Sequence, residues 1–165
     1  MTQLFLRVAR HLNRTLAVLG GVVLLAMVAL TCANIGIRLF WAPIPGTFEL
    51  MGYFGAVCAA FALAYTQAFR GHIAVDVLIA RFPPRVRSLL GLFNQLVCCA
   101  FSGAVAWQVA EKASTIRRSG ELSETLHMVY YPFTYLAAVG FAVLALVFLS
   151  ETVSTLLRME RGKKP

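Results

Sequence analysis

The side chains that could do chemistry in this 165-residue chain are few and scattered. Its three histidines, His11, His72 and His127, sit beside apolar stretches rather than inside them. Haem held between membrane helices would want paired histidines projecting into a bundle, and no such pair is present. Four cysteines, Cys32, Cys58, Cys98 and Cys99, lie within apolar runs, without a C-x-x-C spacing or a neighbouring His cluster. They read as small hydrophobes in a core rather than as metal ligands or disulfide partners. Ala29-Leu30-Thr31 before Cys32 fits lipoprotein processing poorly, and the apolar run continues past it to Ile37. No serine or threonine sits on a glycine-flanked elbow, and no phosphate-cradling Walker loop is present. The chain is therefore read as a non-enzyme, with no catalytic residue, cofactor or metal site of its own.

The elements that hold these residues are membrane spans. The composition is 59% hydrophobic and 13% charged, with mean hydropathy +0.75, far from the quarter charged of a soluble domain. The expected fold is all-α integral membrane: four transmembrane helices at about 15–38, 47–69, 88–110 and 126–157, in one membrane domain. The first run is too long for the 7–15-residue apolar core of a signal peptide. A short amphipathic surface helix is expected between the second and third spans, at 73–82. It follows the corner Arg70-Gly71-His72, where a charge and a glycine end the second span.

Pro45-Gly46-Thr47 turns the chain into the second span; Thr47 can cap that helix, and Glu49 falls in its first turn, at the positive end of the dipole. If Glu49 lay deeper it would need a cation, and Arg38 is the nearest. Gly52, Ala56, Ala60, Ala64 and Ala68 recur every fourth residue, a ridge of small side chains that lets another backbone approach. Asn94, Gln95, Ser102 and Gln108 in the third span suit contacts with other helices. Glu111 to Thr125 is the most polar stretch and reads as a loop, and Pro132, placed inside the fourth span, can kink it.

With four spans, eleven of the fifteen Lys and Arg fall on the side of the termini and the 70–87 loop, and four on the other. By the positive-inside rule both termini are cytoplasmic, with Trp41, Trp107, Tyr130 and Tyr131 at the outer interface. The +8 formal charge thus reports topology rather than nucleic-acid binding.

Arg70-Gly71-His72-Ile73-Ala74-Val75-Asp76, closing a helix that begins near Glu49, resembles the small membrane subunit of tripartite ATP-independent periplasmic (TRAP) transporters, the DctQ-like family. The resemblance runs from about Thr15 to Leu157. It takes in the basic N-terminus, the acid opening span two, and Ser123-Glu124-Thr125-Leu126 with Tyr131-Pro132 and Gly140. Where the family has a tryptophan and paired acids before span two, Gly46-Thr47-Phe48-Glu49 supplies one acid.

The resemblance implies a scaffold subunit of the bacterial inner membrane. Its partners would be a large permease subunit, which carries the substrate and coupling-ion (sodium) sites, and a periplasmic binding protein that delivers an organic acid such as a dicarboxylate or sialic acid. On that reading the Gly52, Ala56, Ala60, Ala64 ridge packs on the large subunit. Arg70, Gly71, His72 and Asp76 form the cytoplasmic corner, and the 111–124 stretch faces the binding protein. Two other readings compete: a membrane anchor of a haem or quinone redox enzyme, and a small autonomous channel or carrier.

Overall fold

The computed structural model describes residues 2–40, 42–68 and 83–161. The surface helix expected at 73–82, and the corner residues Arg70, Gly71, His72 and Asp76, lie outside them. The described residues form four long helices: α1 (Thr2–Phe40), α2 (Thr47–Ala68), α3 (Pro84–Ser119) and α4 (Tyr131–Arg161). Each contains a segment long and apolar enough to cross a bilayer: Arg14–Phe40, Thr47–Gln67, Leu89–Ser119 and Tyr131–Leu156. The fold is all-α and membrane-spanning.

Helix boundaries follow local chemistry. α3 opens with Pro84 at its first position, where a missing N–H costs nothing. It does not stop near Ala110. Glu111, Lys112 and Ala113 are good helix formers, so it continues to Ser119 and ends on Gly120 in the left-handed conformation (φ 67°, ψ 22°), with Arg117 and Arg118 in the last turn beside the negative end of the dipole. The real loop is therefore 120–130, not 111–125. α4 begins at Tyr131 rather than Leu126, which puts Pro132 in the first turn, where it starts the helix instead of kinking it.

α4 is the central element. It packs on α2, on α3 and, more briefly, on α1, while α1 also packs on α2. The core joins Leu16 of α1, Val57, Phe61 and Ala64 of α2, and Val143, Leu144, Val147 and Phe148 of α4, with Cys98 and Cys99 of α3 against it. The tightest crossing places Gly140 on Ala60: a Cβ at Gly140 would lie 2.7 Å from that of Ala60. In lipid, where burial gives helices no drive to associate, such close backbone approach is the main source of packing energy.

The small-residue ridge of α2 is divided by this crossing. Ala60 and Ala64 are fully buried inside the chain, whereas Gly52 and Ala56 are exposed. A step of four residues overshoots a full turn by about 40°, so the ridge winds around the helix and cannot face one neighbour along its length. The cysteines also depart from a uniform core role. Cys32 is exposed on α1, and the other three are half-buried free thiols. Cys58 and Cys99 donate weak bonds to carbonyls of neighbouring helices, at Gly20 (3.7 Å) and Ala145 (3.4 Å).

Candidate functional site

Among the described residues, the densest polar constellation lies where the α1–α2 turn meets the α3–α4 loop. The turn is built first. Asn34 on α1 accepts the N–H of Ile44 through its side-chain oxygen (2.9 Å), and Gly46 adopts φ +74°, a left-handed conformation that favours glycine. A Cβ there would fall inside the Leu126 side chain, 2.7 Å from each of its methyl carbons. Thr47 does not cap the helix N–H groups. Its buried hydroxyl donates backwards to the Ile44 carbonyl (2.8 Å), closing the turn, while the Gly46 carbonyl accepts the first helical N–H, from Leu50.

Glu49 is thereby aimed at the opposite loop. Its carboxylate accepts three successive backbone N–H groups, from Glu124 (2.8 Å), Thr125 (3.3 Å) and Leu126 (3.2 Å). Consecutive amides converging on one anion form a nest, a binding geometry set by the backbone alone. The nest is held open by a small hairpin. The Ser123 N–H donates to Met128, its carbonyl accepts from His127, and its hydroxyl accepts the Met128 N–H (3.3 Å). His127 takes φ 50°, and an isolated bridge pairs Leu122 with Val129. Glu49 therefore satisfies its charge with peptide groups, and the Arg38 pairing is not needed.

Aromatic rings seal the inner side of this clasp. Tyr53, one turn beyond Glu49, stacks between Tyr130 (5.3 Å, 7°) and Phe133 (5.7 Å, 13°), and Phe54 meets the edge of Phe133 (5.6 Å, 73°). At the rim the Tyr130 hydroxyl donates to Glu121 (2.6 Å). That bond to a carboxylate, followed by partial desolvation, pushes the phenol up to about 12.

A second polar cluster ties the opposite ends of α2, α3 and α4. Gln67 donates through Nε2 to Glu151 (2.9 Å), and Thr155 donates to the Gln95 side-chain oxygen (3.3 Å). A reading of the sequence that looks for charges at mid-span passes over Glu151, which lies near the end of the apolar segment of α4. The signal available was its position four residues before Thr155, one polar face within an apolar run.

Among the described residues, no group of three His, Cys, Asp or Glu is placed to hold a metal ion. Both polar clusters tie separate elements of the chain together through hydrogen bonds. The family model of the tripartite ATP-independent periplasmic transporters, DctQ component, matches residues 27–158, most of the chain. The chain belongs to the DctQ family. The match contains the Glu49 clasp, both walls of the Gly140–Ala60 crossing and the Gln67–Glu151 pair. A DctQ protein is a membrane component of a TRAP transporter, and the family is one of transporter parts, not of enzymes. A search of curated proteins finds no match to the chain.

Proposed function

We propose that this DctQ protein is the small scaffold subunit that braces the large permease subunit of an ion-gradient-driven TRAP importer of organic acids. Both termini are cytoplasmic on this reading, and the clasp faces the periplasm, where its exposed rim (Arg117, Arg118, Glu121, Glu124) meets the binding protein. The observation that carries the proposal is how polar groups within the described spans are used. Asn34, Glu49, Gln67, Gln95, Glu151 and Thr155 bond between elements of the chain itself. A self-sufficient carrier would instead gather such groups around a path near the bilayer midplane. The coupling ion, sodium, and the substrate are assigned to the large subunit.

The test is reconstitution in liposomes of this chain with and without a co-expressed large permease subunit and binding protein. Sodium-driven organic-acid uptake is expected only when all three are present, and the tagged chain retains the permease on purification. Uptake by this chain alone overturns the proposal in favour of an autonomous carrier, and a haem absorption band on the purified chain overturns it in favour of a redox anchor. Fusion of a reporter that fluoresces only in the cytoplasm to the C-terminal end tests the topology separately.

A further inference from the structure

Between α1 and α2, at the end of the bundle away from the clasp, runs a slot of about 460 Å³. Its walls are Ala17, Gly20, Gly21 and Leu24 on α1 and Cys58 and Ala62 on α2, and its open end carries Arg14 and Tyr65. At 1.5 Å per residue, Arg14 to Leu24 makes the slot roughly 15 Å long, running from the membrane edge toward the interior. Glycine and alanine create it: α1 and α2 stay in contact through Gly20 on Phe61, whereas a Cβ added at Gly21 meets no described atom within 4 Å.

The geometry points to a binding site for one anionic phospholipid, the phosphate at Arg14 and Tyr65 and an acyl chain along Gly21 and Ala62. Two features select that occupant. A cation and a phenol at the mouth of an otherwise apolar slot match an amphiphile with a negative head; basic pockets between transmembrane helices recognise anionic headgroups in this way. The volume is that of a small-ligand pocket. The α1 wall, residues 14–24, precedes the stretch matched by the family model, and the α2 wall lies within it.

The test uses the full-length chain, purified in mild detergent with equal phosphatidylglycerol and phosphatidylcholine and analysed by native mass spectrometry. Wild type is expected to retain phosphatidylglycerol over phosphatidylcholine by about fivefold, the factor one basic residue contributes near an anionic headgroup. Arg14→Gln should bring the ratio to about one, and Arg14→Lys should restore most of it. Gly21→Leu fills the slot and should lower retention of both lipids; Ala62→Leu, from the other wall, should do the same and serves where Gly21→Leu fails to give monodisperse protein. No lipid preference in wild type, or a preference unchanged in Arg14→Gln, overturns the inference. So does a slot-filling variant that sheds a co-expressed permease subunit while its lipid retention stays at the wild-type level, because a partner helix then occupies the slot.

Discussion

The carboxylate of Glu49 holds the backbone of Glu124, 75 residues further along the chain, at 2.8 Å. One side chain in the first turn of α2 thus fixes the conformation of the loop between α3 and α4. Glu49→Ala removes the acceptor for three amides at once, and a polar backbone group without its partner must find water or move. The amides of Glu124, Thr125 and Leu126 should exchange with deuterium faster in Glu49→Ala than in wild type, with Glu49→Gln between them. Unchanged protection in Glu49→Ala would show that the hairpin alone sets the loop.

Gly46 and Leu126 lock the same two segments by shape. Gly46→Ala meets both a left-handed backbone, which costs about 1–2 kcal/mol for a residue with a Cβ, and a steric overlap with Leu126. Thermal unfolding in detergent should show the full loss in Gly46→Ala and a partial recovery in Gly46→Ala/Leu126→Ala, since the second change relieves the overlap but not the backbone.

At the Gly140–Ala60 crossing, Gly140→Ala overpacks two backbones already in contact and should cost about 1–3 kcal/mol. Adding Ala60→Gly moves the missing methyl to the other helix and should return part of that stability. A double-mutant cycle on the unfolding midpoint reads the coupling.

The membrane spans themselves are largely written in hydropathy, and so is the turn before Glu49, because Pro45-Gly46 and an acid in a first turn are local signals. The partners of Glu49 are not legible in this way: its ligands are peptide N–H groups, which carry no residue identity. The end of α3 was obscured for a related reason. Glu111 to Arg118 is as polar as a loop but has the helix-forming residues of an exposed helix end, and Gly120 is the stop. Ala60 and Ala64 were visible as packing residues, but the winding of a four-residue repeat hides which of them face inward. Glu151 was missed because an acid near the end of an apolar span invites no partner until α2 brings Gln67 to it.

Gln67 and Glu151 supply a further measurement. Hydrogen bonds between membrane helices contribute roughly 1 kcal/mol or less. Gln67→Leu should therefore lower the unfolding free energy by about that amount, and Glu151→Gln, which keeps an acceptor for Gln67 Nε2, should be closer to neutral. A loss several times larger in Gln67→Leu would mean that the cluster organises more than this one bond.

Tyr130 gives the clasp a pH limit. The folded state binds the phenolic proton more tightly than the unfolded chain, whose tyrosine titrates near 10, because Glu121 accepts it. The stability from this pair is complete below pH 10 and is lost as pH rises toward about 12. Phenolate absorbance should show one tyrosine with a midpoint near 12. It should vanish in Tyr130→Phe and move down in Glu121→Gln.

Because α4 touches each of the other three helices and is the last of the four to leave the ribosome, the nascent chain has only the α1–α2 pair to assemble around until that helix is inserted. α3 has only α4 as a substantial neighbour among the described helices. Until α4 is inserted, α3 therefore has none of its substantial packing within the described chain. Completion of α4 is thus the event that joins α3 to the α1–α2 pair as one body.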